Sequence, residues 1–393
     1  MCSLPQKMIE KPTRRRDRAV QRWESEKTAD ATPVRTRARH LDDASDAYEH
    51  NAWDDVEMDV EYVAAAEALI AAQPLANPDR VAGCIELAAA KWDQHYSENL
   101  RNYHDRRYLM NEYPTLLQAA DGPTAAASCD LTILETGCGV GNALLPLLAL
   151  SPRVHALGCD HASGAVARAN ERLSREGLEH RGHAFCWDIS RPPPDAKLPA
   201  RGVDTVLALF TLSALPPDAL PRAFMHLGAA LRPGGQLLLR DYGRLDLKQL
   251  KFAKASDGRL GTGHGCEWYA RGDGTTCIFF TEEAIRVLAS EAGLEVTSLR
   301  YDRRLVVNRS ERKRMHRVWI VAELHKPRDR AKGPRNFLAS IFTGGLRCAF
   351  NLSGWSASMK LSALTGGAAL LAAAVVVAVG KATCRPCSLN HAC

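Results

Sequence analysis

The chain predicts a doubly wound α/β fold built on a mostly parallel sheet. Three observations carry that expectation. An apolar, β-branched run enters a glycine turn in ILETGCGVGN, Ile133 to Asn142. Further apolar strands alternate with helical patterns from about Leu131 to Lys326, and two of them lead to an acid, Asp160 and Asp188. An alternation of this kind covers both faces of a parallel sheet and leaves ligands at the carboxyl ends of its strands. With 393 residues, 46% of them hydrophobic, the chain can fill one large core and still carry extensions.

The first strand sets the kind of ligand. A buried strand that ends in a glycine turn lets a ligand lie against bare backbone. Gly137, Gly139 and Gly141 give G-x-G-x-G, whereas the dinucleotide fingerprint places its third glycine three positions after the second and holds a pyrophosphate on the helix that follows. Glu135, just before the glycines, would repel a phosphate and suits a ligand with a charged amino-acid portion. This pattern resembles motif I of the S-adenosyl-L-methionine-dependent methyltransferases. VHALGCD, Val154 to Asp160, reads as the second strand, whose acid can accept from both ribose hydroxyls. HAFCWDI, His183 to Ile189, reads as the third, with Asp188 able to accept from an adenine amino group. Either acid alone also fits a helix cap, but two in register after a glycine loop favour the ligand. DTVLALFTLS, from Asp204, is an apolar run of the kind buried on both faces, and LRPGGQLLLRDYG, from Leu231, adds a Pro-Gly-Gly turn and another apolar strand.

Outside this core the charge is uneven. The net charge is +6, but residues 1–40 hold eleven Lys or Arg against five acids. Residues 1–45 read as a disordered basic arm able to touch RNA without sequence preference. Between Arg300 and Arg317 lie eight basic residues against Asp302 and Glu311, enough to neutralise phosphates and release counterions, although a solvated strand and loop would carry the same charge. Lys91 to Pro114 interleaves Trp92, Tyr96, Tyr103, Tyr108 and Tyr113 with Arg101, His104, Arg106 and Arg107. Trp92 and Tyr96 are four apart and share one helix face, where they either join the core or close over a cofactor or base. Aromatics beside cations supply the stacking and phosphate contacts that single-stranded RNA recognition requires.

The twelve cysteines are scattered, many within apolar strands, and no N-terminal apolar signal segment precedes them. They read as small hydrophobes in a reducing, cytoplasmic compartment. Cys384 and Cys387 form C-x-x-C without a second pair at zinc spacing, so no metal site is expected. Leu361 to Gly380 is an uncharged stretch long enough to span a bilayer as a helix, but its alanine and glycine content makes it only marginally hydrophobic. A membrane anchor and a loosely packed appendage both remain open.

Taken together, these segments are similar to the tRNA N3-methylcytidine methyltransferases of the methyltransferase-like family, and most to the branch with an extra N-terminal segment. The resemblance runs through HNAWDDVE from His50, KWDQHY from Lys91, DRRYLMNEYP from Asp105 and LETGCGVGNALLPLL from Leu134. It continues through LFTLSAL from Leu209, RDYG from Arg240, YARGDGT from Tyr269, DRRLVVNR from Asp302 and RVWI from Arg317. It implies a class I methyltransferase, a Rossmann-like fold with a seven-stranded, mostly parallel sheet and an N-terminal helical extension. The extension would span 46–128 and the methyltransferase domain 129–327, followed by a linker (328–360), the apolar segment (361–380) and a tail (381–393). S-adenosylmethionine would be held by Gly137, Asp160, Asp188 with the backbone of Ile189, and Leu209, under the aromatic pair Trp92 and Tyr96. Glu135, Gly139 and Gly141 complete that set, and Arg106, Arg107, Arg271, Arg303, Arg304 and Arg309 are the candidate RNA contacts. The implied substrate is a cytosine of the tRNA anticodon loop, at position 32, and a protein partner that selects the tRNA is implied for several members.

The target atom limits the chemistry. Cytosine N3 is unprotonated at neutral pH and presents an in-plane lone pair, so methyl transfer needs alignment rather than a general base. Positive charge moves from the sulfonium to the base, which makes Asp241 of RDYG the candidate product stabiliser and Tyr242 the candidate positioning or stacking group. Asp241 also fits a structural acid paired with Arg240 or Arg244. After the fourth strand the chain reads LFTLS, without the Asp/Asn-Pro-Pro-aromatic group common in enzymes that methylate exocyclic amines, which agrees with a ring nitrogen. N3 lies on the Watson–Crick edge, so the base must be unpaired or extruded. A small-molecule or protein methyltransferase of the same fold, and a non-catalytic RNA-binding relative, are the alternatives.

Overall fold

The computed structural model describes residues 38–42, 45–98, 105–106, 109–114, 116, 130–194, 196–254 and 258–328. The chain divides into two units, residues 1–331 and 332–393, and the second lies outside the described residues. Most of the basic arm, Arg107, the C-x-x-C pair and the apolar segment 361–380 also lie outside them. Among the described residues no helix is long and apolar enough to cross a membrane.

The N-terminal part forms strand β1 (Ala52–Asp54) and helices α1 (Val60–Ala72), α2 (Pro78–Glu86), α3 (Ala88–Glu98) and α4 (Leu109–Glu112). Asp59 caps α1 by accepting the Tyr62 N–H at 2.6 Å, and Asn77 caps α2 by accepting that of Arg80 at 2.8 Å. Each cap satisfies an amide with no partner inside its helix. Pro78, in the first turn of α2, sits where a helix needs no donor.

Strands β2 (Leu131–Thr136), β3 (Val154–Asp160), β4 (Gly182–Cys186), β5 (Val203–Leu209) and β6 (Leu231–Tyr242) are parallel, in the order β4-β3-β2-β5-β6. Helices α5 (Leu144–Leu150), α6 (Ser163–Arg175) and α7 (Leu220–Ala230) return the chain between them. Beyond β6 come α8 (Leu247–Ala253), a small antiparallel sheet of β7 (Arg259–Gly263), β8 (Cys266–Ala270) and β9 (Thr276–Phe279), and α9 (Glu282–Glu291). A long hairpin of β10 (Glu295–Asn308) and β11 (Lys313–His325) completes the large sheet, with β11 antiparallel to β6. One face buries Leu144, Leu147 and Leu173, and the other buries Phe224, Ile285 and Leu288. Each such side chain contributes about 1.5–3 kcal/mol on removal from water. The strand order reverses between β2 and β5, which opens a cleft at their carboxyl ends.

The expected class I sheet is therefore present, with three departures. β1 adds an antiparallel edge strand to β10, so the sheet has eight strands among the described residues instead of seven; Trp53 drives this by packing on Leu305 and Val307. The third parallel strand stops at Cys186, short of the expected Ile189, because Asp188 turns the chain by accepting the N–H and hydroxyl of Ser190. The β7-β8-β9 sheet has no counterpart in the sequence reading, and its last turn presents RGDGT.

Candidate active site

The glycine turn after β2 forms the floor of the cleft. Gly137 has φ +60°, and a Cβ there would stand 2.4 Å from Oγ1 of Thr211, a hydroxyl that donates to the Thr136 carbonyl at 2.7 Å. Glycine is thus required by both conformation and space. At Gly139, φ +53°, a Cβ would meet the Tyr96 hydroxyl; Gly141 follows in the same turn with φ +84°. Tyr96 and Trp92 stand on α3 with ring centroids 6.1 Å apart and pack on Val140, Ala162 and Ala165. The aromatic pair therefore packs over the glycine turn.

The acids fall along the same edge. Asp160, at the end of β3, accepts the Gly139 N–H at 2.8 Å and the Ala162 N–H at 2.9 Å. Burial raises its carboxyl above the ordinary range, and these amides work against that rise. Asp188 and Arg191 form an ion pair at 3.4 Å beside an open pocket lined by His161, Cys186, Trp187, Pro192 and Pro194. The Ile189 carbonyl is engaged by Nδ1 of His226 at 3.0 Å, and Leu209 ends β5 fully packed. Glu135 is buried, with Oε2 making no hydrogen bond. Burial pushes its carboxyl up to about 8, opposed chiefly by the charge of Arg106.

Above the floor runs a rim of rings and guanidinium groups. Arg271, in the β8–β9 turn, lies 5.9 Å from the centroid of Trp92 and 5.7 Å from that of Tyr242. Tyr242 meets Phe210 at 5.2 Å, and Arg106 lies 5.4 Å from the Phe210 centroid. The RGDGT turn is fixed by Asp273, which accepts the N–H and hydroxyl of Thr275 and pairs with His95 of α3 at 3.6 Å. Phe210 was not among the residues singled out from the sequence. It has φ +56°, a conformation that costs a bulky residue energy and that places its ring at the cleft. Its one sequence signal is an aromatic directly after a buried strand.

Residues 134–237 match the family described as a methyltransferase domain. The Drosophila melanogaster tRNA N(3)-methylcytidine methyltransferase Mettl2 is 37% identical over 303 residues, which cover 75% of this chain and 89% of the relative. The chain belongs to the tRNA N3-methylcytidine methyltransferase family. A second relative, the Saccharomyces cerevisiae tRNA(Thr) (cytosine(32)-N(3))-methyltransferase, is 34% identical over 75% of this chain and 46% of its own length. Among solved structures, the Burkholderia thailandensis 1,6-didemethyltoxoflavin-N1-methyltransferase is similar at 20% identity over 65% of this chain and 92% of that one, with a TM-score of 0.38.

In this methyltransferase the cleft fits S-adenosylmethionine. Glu135 offers an unspent carboxyl oxygen to an ammonium group, the glycine turn offers bare backbone, Asp160 ends β3, and Asp188 lies in the turn just past β4. The candidate catalytic pair is split in depth. Tyr242 reaches the rim, whereas Asp241 is fully buried beneath it and accepts the N–H of Ser213 at 2.9 Å and of Tyr242 at 2.8 Å. Neither Arg240 nor Arg244 takes Asp241 as a partner: Arg240 pairs with Asp302 and Glu112, and Arg244 with Glu67 and Glu267. Burial pushes the Asp241 carboxyl up to about 6, with the Ser213 contacts and Arg271 pulling it down.

The candidate RNA contacts separate into two groups. Arg106 and Arg271 sit at the cleft rim, while Arg303, Arg304 and Arg309 lie on the β10–β11 hairpin. Arg304 is held by Asp54, Glu112 and Asp302, and Arg303 by Glu57 at 3.2 Å. Arg309 donates to the Glu49 carbonyl at 3.0 Å but is exposed, as are Arg312, Lys313 and Arg314 beside it.

Proposed function

We propose that this protein transfers the methyl group of S-adenosylmethionine to N3 of a cytosine in the anticodon loop of tRNA, at position 32. The rim of Trp92, Arg271, Tyr242 and Phe210 carries the reading, because it sets aromatic faces and a cation around the mouth of a methyl-donor cleft. A flipped pyrimidine is gripped by stacking and by cations, and its phosphates by further basic groups. When bound, the cofactor supplies an electrophilic methyl group on a sulfonium. N3 brings its own lone pair, so the protein needs no base and its task is alignment.

Tyr242 and Arg271 suit positioning of the base. Asp241 supplies a negative charge below them that favours the cationic product without touching it, and it also fixes the backbone of Ser213 and Tyr242. Trp92 and Tyr96 exclude water from the cofactor side. Exposed Arg309, Arg312, Lys313 and Arg314 suit the tRNA backbone. A partner protein that selects the tRNA, and a membrane contact through 361–380, belong to the same reading on the sequence alone.

The test is nucleoside mass spectrometry of tRNA incubated with purified protein and S-adenosylmethionine, with the position-32 cytosine intact or replaced by uridine. We expect 3-methylcytidine only in the intact tRNA. Methylation of free metabolites without RNA would transfer the assignment to a small-molecule enzyme, and failure to bind the cofactor would leave a non-catalytic RNA-binding protein.

A further inference from the structure

Arg106 belongs to the rim, yet one of its terminal nitrogens does not face solvent. Nη1 is buried and has no hydrogen-bond partner, and Oε2 of Glu135 is in the same condition. Leaving either buried without a partner is costly, and more so for a charged group. Arg106 acts on Glu135 as its principal counter-charge, but among the described residues no ion pair joins them. A pair collapsed on itself would have spent both atoms.

The segment that carries Arg106 is tied to the glycine turn. Its backbone N–H donates to the Asn142 carbonyl at 2.8 Å. Arg172 of α6 binds the neighbouring Asp105 at 3.0 Å, the Val140 carbonyl at 2.8 Å and Oδ1 of Asn142 at 3.0 Å. The guanidinium rests on Phe210, whose left-handed backbone sets the ring there. Such a platform fixes the orientation of a planar fork.

We infer that Arg106 and Glu135 form a two-point receptor for an α-amino acid, with Arg106 taking the carboxylate and Glu135 the ammonium of the cofactor's methionine end. This rests on the cofactor assignment above and moves Arg106 from RNA contact to cofactor-selecting residue. An ammonium and a carboxylate on one carbon would satisfy both unspent atoms at once, and that amino-acid group itself brings no net charge.

The experiment measures binding of S-adenosylmethionine and of its decarboxylated form, which lacks only the α-carboxylate, by equilibrium dialysis without tRNA. The wild type should prefer the intact cofactor by about tenfold to a hundredfold, the range for a hydrogen bond to a charged group. Arg106→Gln should abolish the preference by weakening only the intact cofactor, while its tRNA affinity in a filter-binding assay stays within about threefold. Equal binding of both nucleosides by the wild type overturns the receptor and leaves the cofactor site standing. So does an Arg106→Gln variant that keeps the preference and loses tRNA. Binding of neither nucleoside by the wild type overturns the cofactor assignment and the receptor together.

Discussion

Tyr96 fills the space above Gly139: a Cβ placed on that glycine would stand 2.7 Å from the tyrosine hydroxyl oxygen. Gly139→Ala therefore has to displace the ring or move the turn, and it also places a side chain at φ +53°. The left-handed region alone costs an L-residue about 1–2 kcal/mol. We expect S-adenosylhomocysteine affinity to fall about tenfold or more by calorimetry. In a Tyr96→Ala background the clash is gone and only the backbone cost remains, so the same substitution should cost less there. Equal losses in the two backgrounds would show that the ring does not press on the turn.

Glu135 gives cofactor binding a pH signature. Its carboxyl is raised to about 8 from an ordinary 4.5, so the folded protein without ligand holds a proton that the unfolded chain releases. This stabilisation is full below about 4.5 and is lost as pH rises through about 8. An ammonium against the carboxylate reverses the preference and expels the proton. Calorimetry near pH 7 in buffers of different ionisation enthalpy should show about one proton released per S-adenosylhomocysteine bound. Glu135→Gln should release none, bind about tenfold more weakly, and melt higher than the wild type near pH 8 without ligand. Absence of proton release in the wild type would place the ammonium elsewhere.

The parts of this site that were readable from sequence are those whose cause is local. The glycine turn follows β2 directly, and Asp160 closes β3, so hydrophobic run and breaker together fix them. Trp92 and Tyr96 were readable as a pair because helical spacing puts them on one face. The end of the strand before Asp188 is not legible in the apolar run, since the turn there depends on the Ser190 side chain. Arg304 was read from charge density as an RNA contact, yet Asp54, Glu112 and Asp302 meet it only because β1, α4 and β10 converge in space. Phe210 carries only the weak local signal of an aromatic after a buried strand, and the buried nitrogen of Arg106 carries none. Both arise where separate segments close on the cleft.

Asp241 should govern rate and leave cofactor affinity nearly alone. Its oxygens accept two backbone amides, and Asn can keep one acceptor while removing the charge. Asp241→Asn is expected to slow single-turnover methylation by about ten- to a hundredfold, less than the roughly hundred- to thousandfold cost of a stabiliser that touches the reacting group, because Asp241 acts from below the rim. S-adenosylhomocysteine affinity should change less than about threefold. Because the wild-type carboxyl sits at about 6, the rate should fall as pH drops through that value and the charge is lost. The variant should lack that limb. Full single-turnover activity in Asp241→Ala would remove Asp241 from the mechanism.

Arg304 and its neighbours on the hairpin should respond in different measurements. Arg304 holds three carboxylates, two of them in residues otherwise well buried, Asp302 and Glu112. Removing it leaves those acids with less compensation, so Arg304→Ala should lower the melting temperature by several degrees, the response to about 1–2 kcal/mol in a domain of this size. Its effect on tRNA binding should not depend on salt. Lys313 and Arg314 are exposed, and among the described residues neither side chain engages in a hydrogen bond or ion pair. Replacing both by Ala should leave the melting temperature within about a degree, since surface changes of this kind are near neutral. The slope of log affinity against log salt should then become shallower by about 1–2, because each phosphate that is no longer neutralised keeps its counterion. A double variant that keeps the wild-type slope would show that the tRNA backbone does not cross this end of the hairpin.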